Sequence, residues 1–201
     1  MNEAMLQQLW RDLLATSPAE LVAAALGVVY VVLIARRRRG GWIAGGISSL
    51  LYVWLSAAAR LPMQSVLQVY YVAMAGYGWW SWTRNQEQEQ GRIASWPWSR
   101  HALAAIGILV LSLACAHWLA GQFDAAWPFL DSLTTIGSLF ATWLVVRSVL
   151  ENWLYWIALD AVTVFLFARQ GHPVTAALYG GFLLIAVSGY LQWRRQWQAQ
   201  S

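Results

Sequence analysis

Asp160 lies in the middle of the apolar stretch Trp153–Phe167. At helical spacing Trp153, Trp156, Asp160, Thr163 and Phe167 share one face. A carboxylate flanked by indoles suits a flat organic cation, through charge pairing and cation–π contact. The competing reading is an Asp tied into a hydrogen-bonded contact between helices. An isolated carboxylate at the centre of a membrane helix costs about 2.5–3.5 kcal/mol on insertion scales, so either role has to offset that cost. Asp131, near the start of another apolar stretch, reads as an outer-mouth or helix N-terminal carboxylate. A second polar face comprises Trp42, Gly45, Ser49, Tyr52 and Ser56, with Ser48 adjacent. Gln64 and Gln68 stand at i and i+4, and the face continues to Tyr71 and Ala75. Uncharged polar groups in membrane helices serve as interhelical hydrogen bonds as readily as ligand contacts. Facing one midline together, they make a candidate ligand site.

Other chemistries find no residues. All thirteen basic residues are Arg, so Schiff-base chemistry has no lysine to use. The single cysteine, Cys115, excludes an intrachain disulfide and a Cys-based zinc cage. There is no P-loop lysine motif and no G-x-S-x-G nucleophile elbow. His101, His117 and His172 are scattered without ligand spacing and read as interfacial or structural, and the run Gly45–Ser49 (GGISS) reads as close helix packing. No cofactor, no metal and no enzymatic activity are expected.

The elements that must position these groups are membrane helices. The chain is 59% hydrophobic and 11% charged, against roughly 25% charged in a soluble domain, and it carries fifteen Trp. Mean hydropathy is +0.46. The pI near 9.6 reflects arginines clustered in loops, where they set topology, so nucleic acid is not an expected partner. Seven spans are expected, at about residues 18–34, 42–59, 61–82, 98–120, 127–146, 153–167 and 173–193. Residues 1–17 read as an interfacial segment, 83–98 as a solvated loop, and 196–201 as a tail. Ten arginines (Arg36–Arg39, Arg84, Arg92, Arg100, Arg147, Arg194, Arg195) fall on one side, and three (Arg11, Arg60, Arg169) on the other. The positive-inside rule then places the N-terminus outside and the C-terminus in the cytoplasm. Trp79, Trp80, Trp82, Trp96, Trp98, Trp193 and Trp197 lie near span ends and mostly read as an interfacial belt.

An internal repeat organises the spans. At an offset of 111, Trp42 meets Trp153, Pro62 meets Pro173, Gly78 meets Gly189 and Trp82 meets Trp193. Tyr179 falls at the position matching Gln68. With one residue of slip, Pro18/Pro128, Gly27/Gly137 and Arg37/Arg147 extend the match to the first and fifth spans. Three spans plus a linking span restart the pattern with the same orientation, a parallel repeat of the transporter kind. The expected units are 18–82 and 122–195, joined by a loop and linking helix over 83–121.

Three stretches resemble the nicotinamide riboside transporter (PnuC) family: Leu67–Trp82 (LQVYYVAMAGYGWWSW), Trp127–Ser132 (WPFLDS) and Glu151–Gly171 (ENWLYWIALDAVTVFLFARQG). With the hydropathy order, the resemblance covers about residues 18–195. It implies an all-α fold of seven helices, two parallel three-helix repeats around a linking helix, like an enlarged SWEET fold. It also implies homotrimers in the bacterial inner membrane and facilitated diffusion of a vitamin, which a separate cytoplasmic kinase traps. Branches of the family carry nicotinamide riboside, thiamine or riboflavin. In the riboside branch Asn is usual where Ser48 and Asp160 stand here, and another Asn can occupy the position of Ala75; Gln68, Trp153, Trp156 and Tyr179 match. The expected substrate-binding set is Ser48, Tyr52, Gln68, Tyr71, Trp153, Trp156, Asp160, Thr163 and Tyr179. The expected substrate is nicotinamide riboside, with thiamine as the alternative and an intramembrane enzyme or sensor as the rival class.

Overall fold

The computed structural model describes residues 17–58, 62–87, 91–120, 127–171 and 173–200. The expected interfacial segment before Ser17, together with Arg11, Arg60 and His172, lies outside them. Seven helices follow in order: α1 (Pro18–Ala35), α2 (Gly40–Ala58), α3 (Pro62–Glu87), α4 (Trp98–Ala120), α5 (Pro128–Val146), α6 (Asn152–Arg169) and α7 (Pro173–Gln198). They run from 18 to 26 residues, about 27–39 Å at 1.5 Å per residue, enough for a hydrocarbon core of about 30 Å. Pro18, Pro62, Pro128 and Pro173 each open a helix, where the missing N–H costs nothing, and Pro97 precedes α4. The Ser17 hydroxyl accepts from Glu20 N–H at 3.2 Å and caps α1.

Helices α1, α2, α4, α5 and α7 are long and apolar enough to cross a membrane by length and composition. α3 and α6 are the two that fall short of that apolarity, and they bear Gln64, Gln68 and Asp160. The outer face of the bundle still carries bulky apolar groups such as Leu50, Trp54, Leu103, Leu184 and, on α3 itself, Val66, all more than half exposed. A surface of that kind is stable only against lipid or another apolar partner.

Six helices close a ring by their contacts: α1 on α2, α2 on α3, α3 on α5, α5 on α6, α6 on α7, and α7 back on α1. α4 packs mainly on α5, and its His101 reaches Tyr155 of α6, with Nδ1 and Oη 3.1 Å apart. The buried core is concentrated at one end of the ring, where α1, α3, α5 and α7 finish. There the two halves make the same contacts. Trp42 meets Trp82 edge-on (5.4 Å, 89°), and Trp153 meets Trp193 likewise (5.6 Å, 85°). A Cβ at Gly78 would come within 2.5 Å of Trp42, and one at Gly189 within 2.7 Å of Trp153, so both positions need glycine for the indole to lie against the helix. The indole N–H of Trp82 donates to Val146 O at the end of α5 (3.1 Å). That of Trp193 donates to Ile34 O and Ala35 O at the end of α1 (3.3 and 3.1 Å). Each half thus satisfies the terminal carbonyls of the other.

The turns leaving α1 and α5 are also alike. Arg37 (φ 57°) and Ser148 (φ 53°) are both left-handed, and Arg38 N–H bonds Leu33 O as Val149 N–H bonds Leu144 O. The counterpart of Arg37 is therefore Ser148, not Arg147 as the slipped alignment expects. Helix α5 is one residue longer than α1 (19 against 18), which absorbs the slip before the turn is reached. Two further expectations are corrected at this end. Trp82 and Trp193 are buried at 4% and 0% exposure, as core and caps, while Trp80 and Trp98 stay exposed as belt residues do. Residues 83–98 are not a solvated loop throughout: α3 continues to Glu87, and Ile93 is part of the core.

Candidate functional site

Inside the ring lies a cavity of about 470 Å³, within the range of small-molecule sites. All nine residues expected at a site line it: Ser48 and Tyr52 from α2, Gln68 and Tyr71 from α3, Trp153, Trp156, Asp160 and Thr163 from α6, and Tyr179 from α7. Helical spacing explains why four come from α6, since positions 153, 156, 160 and 163 form one stripe.

The floor is built from three pairs at the 111-residue offset: Ile34 with Val145, Trp42 with Trp153, and Ala75 with Ala186. All six are buried. The walls above it differ between the halves. Asp160 stands opposite the repeat position Ser49, Thr163 matches Tyr52, and Tyr179 matches Gln68. Phe167 stacks on Tyr179 with centroids 5.8 Å apart and planes 14° apart, forming an aromatic wall. Towards the ends where α3 and α5 begin, the lining reaches Gln64, Asp131 and, past α6, Gln170, all exposed. The cavity is therefore closed at the arginine-rich end and extends to the other.

Individual roles are not uniform. Asp160 is 5% exposed, and among the described residues it has no cationic or hydrogen-bonding partner. The interhelical tie considered for it is thus not formed in this structure. Ser48 does act as a tie, donating to Ala23 O on α1 at 2.7 Å. Trp153 forms floor, packed on Gly189 and Trp193, while Trp156 is only half-buried. The Thr163 hydroxyl donates to Leu159 O of its own helix (2.8 Å), which leaves its lone pairs to accept from a ligand.

Sequence reasoning missed the α5 wall. Thr134, Thr135, Ser138 and Thr142 all line the cavity, as does Tyr30 of α1. The i, i+4, i+8 hydroxyl series Thr134–Ser138–Thr142 was the available signal. Thr134 and Thr142 donate back to carbonyls of α5, again presenting acceptors. Asp131 sits in the first turn of α5, as the helix N-terminal reading expects, and lines the cavity towards the end away from the floor. The packing read into the GGISS run is present too: a Cβ at Gly45 would meet the Tyr30 ring at 2.7 Å.

A helical ring with apolar flanks around a blind central cavity, lined by aromatic and polar groups together, fits a multi-pass membrane protein. Comparison with known proteins gives its family. Residues 17–195 match the family model for nicotinamide mononucleotide transporters. The nicotinamide riboside transporter PnuC of Escherichia coli (strain K12) is 24% identical over 200 residues, covering 87% of this chain and 84% of that one. The riboflavin/roseoflavin transporter RibM of Streptomyces davaonensis is 25% identical over 191 residues, covering 91% of this chain and 85% of that one. A crystal structure of the vitamin B3 transporter PnuC superposes with a TM-score of 0.75 at 23% identity, covering 98% of this chain and 88% of that one. The chain belongs to the nicotinamide mononucleotide transporter family, as the resemblance of its third, fifth and sixth spans implied.

Proposed function

We propose that this protein carries nicotinamide riboside across the bacterial inner membrane by facilitated diffusion, the vitamin then being trapped by a cytoplasmic kinase. The observation that carries the reading is the charge and shape of the cavity. Among the described residues its lining holds two carboxylates, Asp160 and Asp131, with aromatic walls and hydroxyl acceptors, and no Arg, Lys or His. A cationic aromatic ring joined to a polyhydroxyl group finds a partner for each part. The phosphate of a nucleotide would bring a charge of about −1.5 to −2 against like charges, with no cation among the described lining residues to pair it. Thiamine, also a cationic ring, is the second reading, favoured by the carboxylate at position 160. Riboflavin, neutral, offers Asp160 no charge to pair with.

In this reading Ser48, Tyr52, Gln68, Tyr71, Trp156, Asp160, Thr163 and Tyr179 contact the vitamin, and Trp153 supports them from the floor. The two halves are parallel repeats about an axis along the membrane normal, with α4 as the linking helix, and its exposed apolar face suits a homotrimer. The arginine-rich end faces the cytoplasm, so the cavity opens outward.

Titration of purified protein with nicotinamide riboside, nicotinamide mononucleotide, thiamine and riboflavin tests the substrate. Binding of the riboside without the mononucleotide is expected, and tighter binding of thiamine would select the second reading. Substrate should equilibrate across proteoliposomes without ATP or an ion gradient. Accumulation driven by a pH gradient would overturn facilitated diffusion and recast Asp160 as a proton carrier.

A further inference from the structure

Residues 91–97 cross the closed end of the bundle and are tied to both halves. Ile93 is 4% exposed and belongs to the same buried cluster as the floor residues Ile34, Trp42, Ala75, Val145, Trp153 and Ala186. On one side the Arg37 guanidinium donates to Gly91 O and lies over the rings of Trp82 and Trp193, at 5.4 and 5.2 Å from their centroids. On the other side Ala94 N–H donates to Ser148 O (3.0 Å), and Leu150 N–H donates to Ala94 O (2.8 Å). Glu151 then accepts from the Ser95 hydroxyl (2.5 Å) and from Trp96 N–H (3.2 Å), with His101 Nε2 3.6 Å from its carboxylate. Gln200, beyond α7, accepts from Ile93 N–H at 3.0 Å.

Arg37 and Ser148 are the equivalent left-handed turn residues of the two halves. The segment therefore bridges matching points of the ring, directly beneath the floor. The halves cannot part at this end while both attachments hold. We propose that residues 91–97 are an exit strap: Arg37 and Glu151 position it, and the floor opens to the arginine-rich side only when one attachment releases. This rests on the transporter reading, because only a transporter needs that end to open.

A test that uses no vitamin keeps the two claims separate. In a Cys115→Ser background, Ala186→Cys places a thiol on the floor, where Ala186 is 1% exposed. Its reaction with an impermeant methanethiosulfonate is timed from each face, in right-side-out and inside-out vesicles. Glu151→Gln removes charge-assisted hydrogen bonds, and Arg37→Ala removes the opposite attachment. Each should speed labelling from the arginine-rich face by about tenfold or more, without a change from the other face. Arg92→Ala, at an exposed strap residue outside these attachments, should leave the rate unaltered. Should Arg37→Ala fail to fold, Ser95→Ala and the isosteric Glu151→Gln still loosen the other end, which keeps only the backbone bonds of Ala94 to Ser148 and Leu150 as its firm ties. Unchanged rates in the folded variants, or equal acceleration from both faces, would overturn the strap. Failure of nicotinamide riboside to bind would leave this result intact.

Discussion

Asp160 combines mid-helix burial with the absence of any cation facing it among the described residues. A carboxylate kept in that position without a protein partner costs stability, which supports the ligand contact proposed for it. Asp160→Leu should therefore weaken vitamin binding by ~30- to 1,000-fold, about 2–4 kcal/mol, as read by calorimetry on purified protein. The same variant should not lower the unfolding temperature, because it removes a buried charge rather than a tie. Lost stability with unchanged affinity would make Asp160 a structural residue. Asp160→Asn separates the two vitamins: a riboside carrier should tolerate it, whereas a thiamine carrier should lose affinity.

Helix packing is decided by small residues set against indoles. Gly78→Ala and Gly189→Ala each force a methyl to within 2.5 and 2.7 Å of a buried ring that has no room to turn. Each should cost about 1–3 kcal/mol of stability, read as a lower unfolding temperature in detergent. Gly107→Ala on α4, with nothing within 4 Å of the new methyl, should cost none. The similarity of the two glycine effects is the useful result, since the Trp42–Gly78–Trp82 and Trp153–Gly189–Trp193 contacts have the same geometry. A tolerated Gly189→Ala beside a damaging Gly78→Ala would show that the halves are not energetically equivalent.

At the scale of the molecule, charge is distributed by end. Arg36–Arg39, Arg84, Arg92, Arg100, Arg147, Arg194 and Arg195 lie at the closed end, and Arg169 at the other. Several lie over aromatic rings there, including Arg39 on Trp79, Arg84 on Trp80 and Arg147 on Trp143. A cysteine at exposed Ala199, in a Cys115→Ser background, should be silent to an impermeant maleimide in intact spheroplasts and react in inside-out vesicles. Labelling of intact spheroplasts would invert the molecule and turn the cavity mouth towards the cytoplasm.

Helix existence and most helix starts were legible from sequence because they follow from local facts, whereas α3 and α7 run on to Glu87 and Gln198, past the expected ends at Trp82 and Trp193. A proline at Pro18, Pro62, Pro128 or Pro173 is suited to the first turn of a helix and barred from its interior, and apolar runs of span length are satisfied as helices in lipid. The stripe through Trp153, Trp156, Asp160 and Thr163 was legible for the same reason, being a property of one helix. Periodicity also exposed the Trp–Gly–Trp correspondence between the halves, though not that Trp82 and Trp193 each cap the other half's first helix. Those hydrogen bonds join residues 64 and 159 positions apart, and no local pattern encodes such a partner. Nor could composition show that the hydroxyls of Thr134, Ser138 and Thr142 face the same cavity as Asp160, because that depends on the rotation of α5 about its axis. The polar run after α3 reads as solvated by its average, yet Ile93, Arg37 and Glu151 anchor part of it beneath the floor. The tertiary structure decided that, by supplying from distant parts of the chain the backbone and carboxylate partners that make its burial favourable.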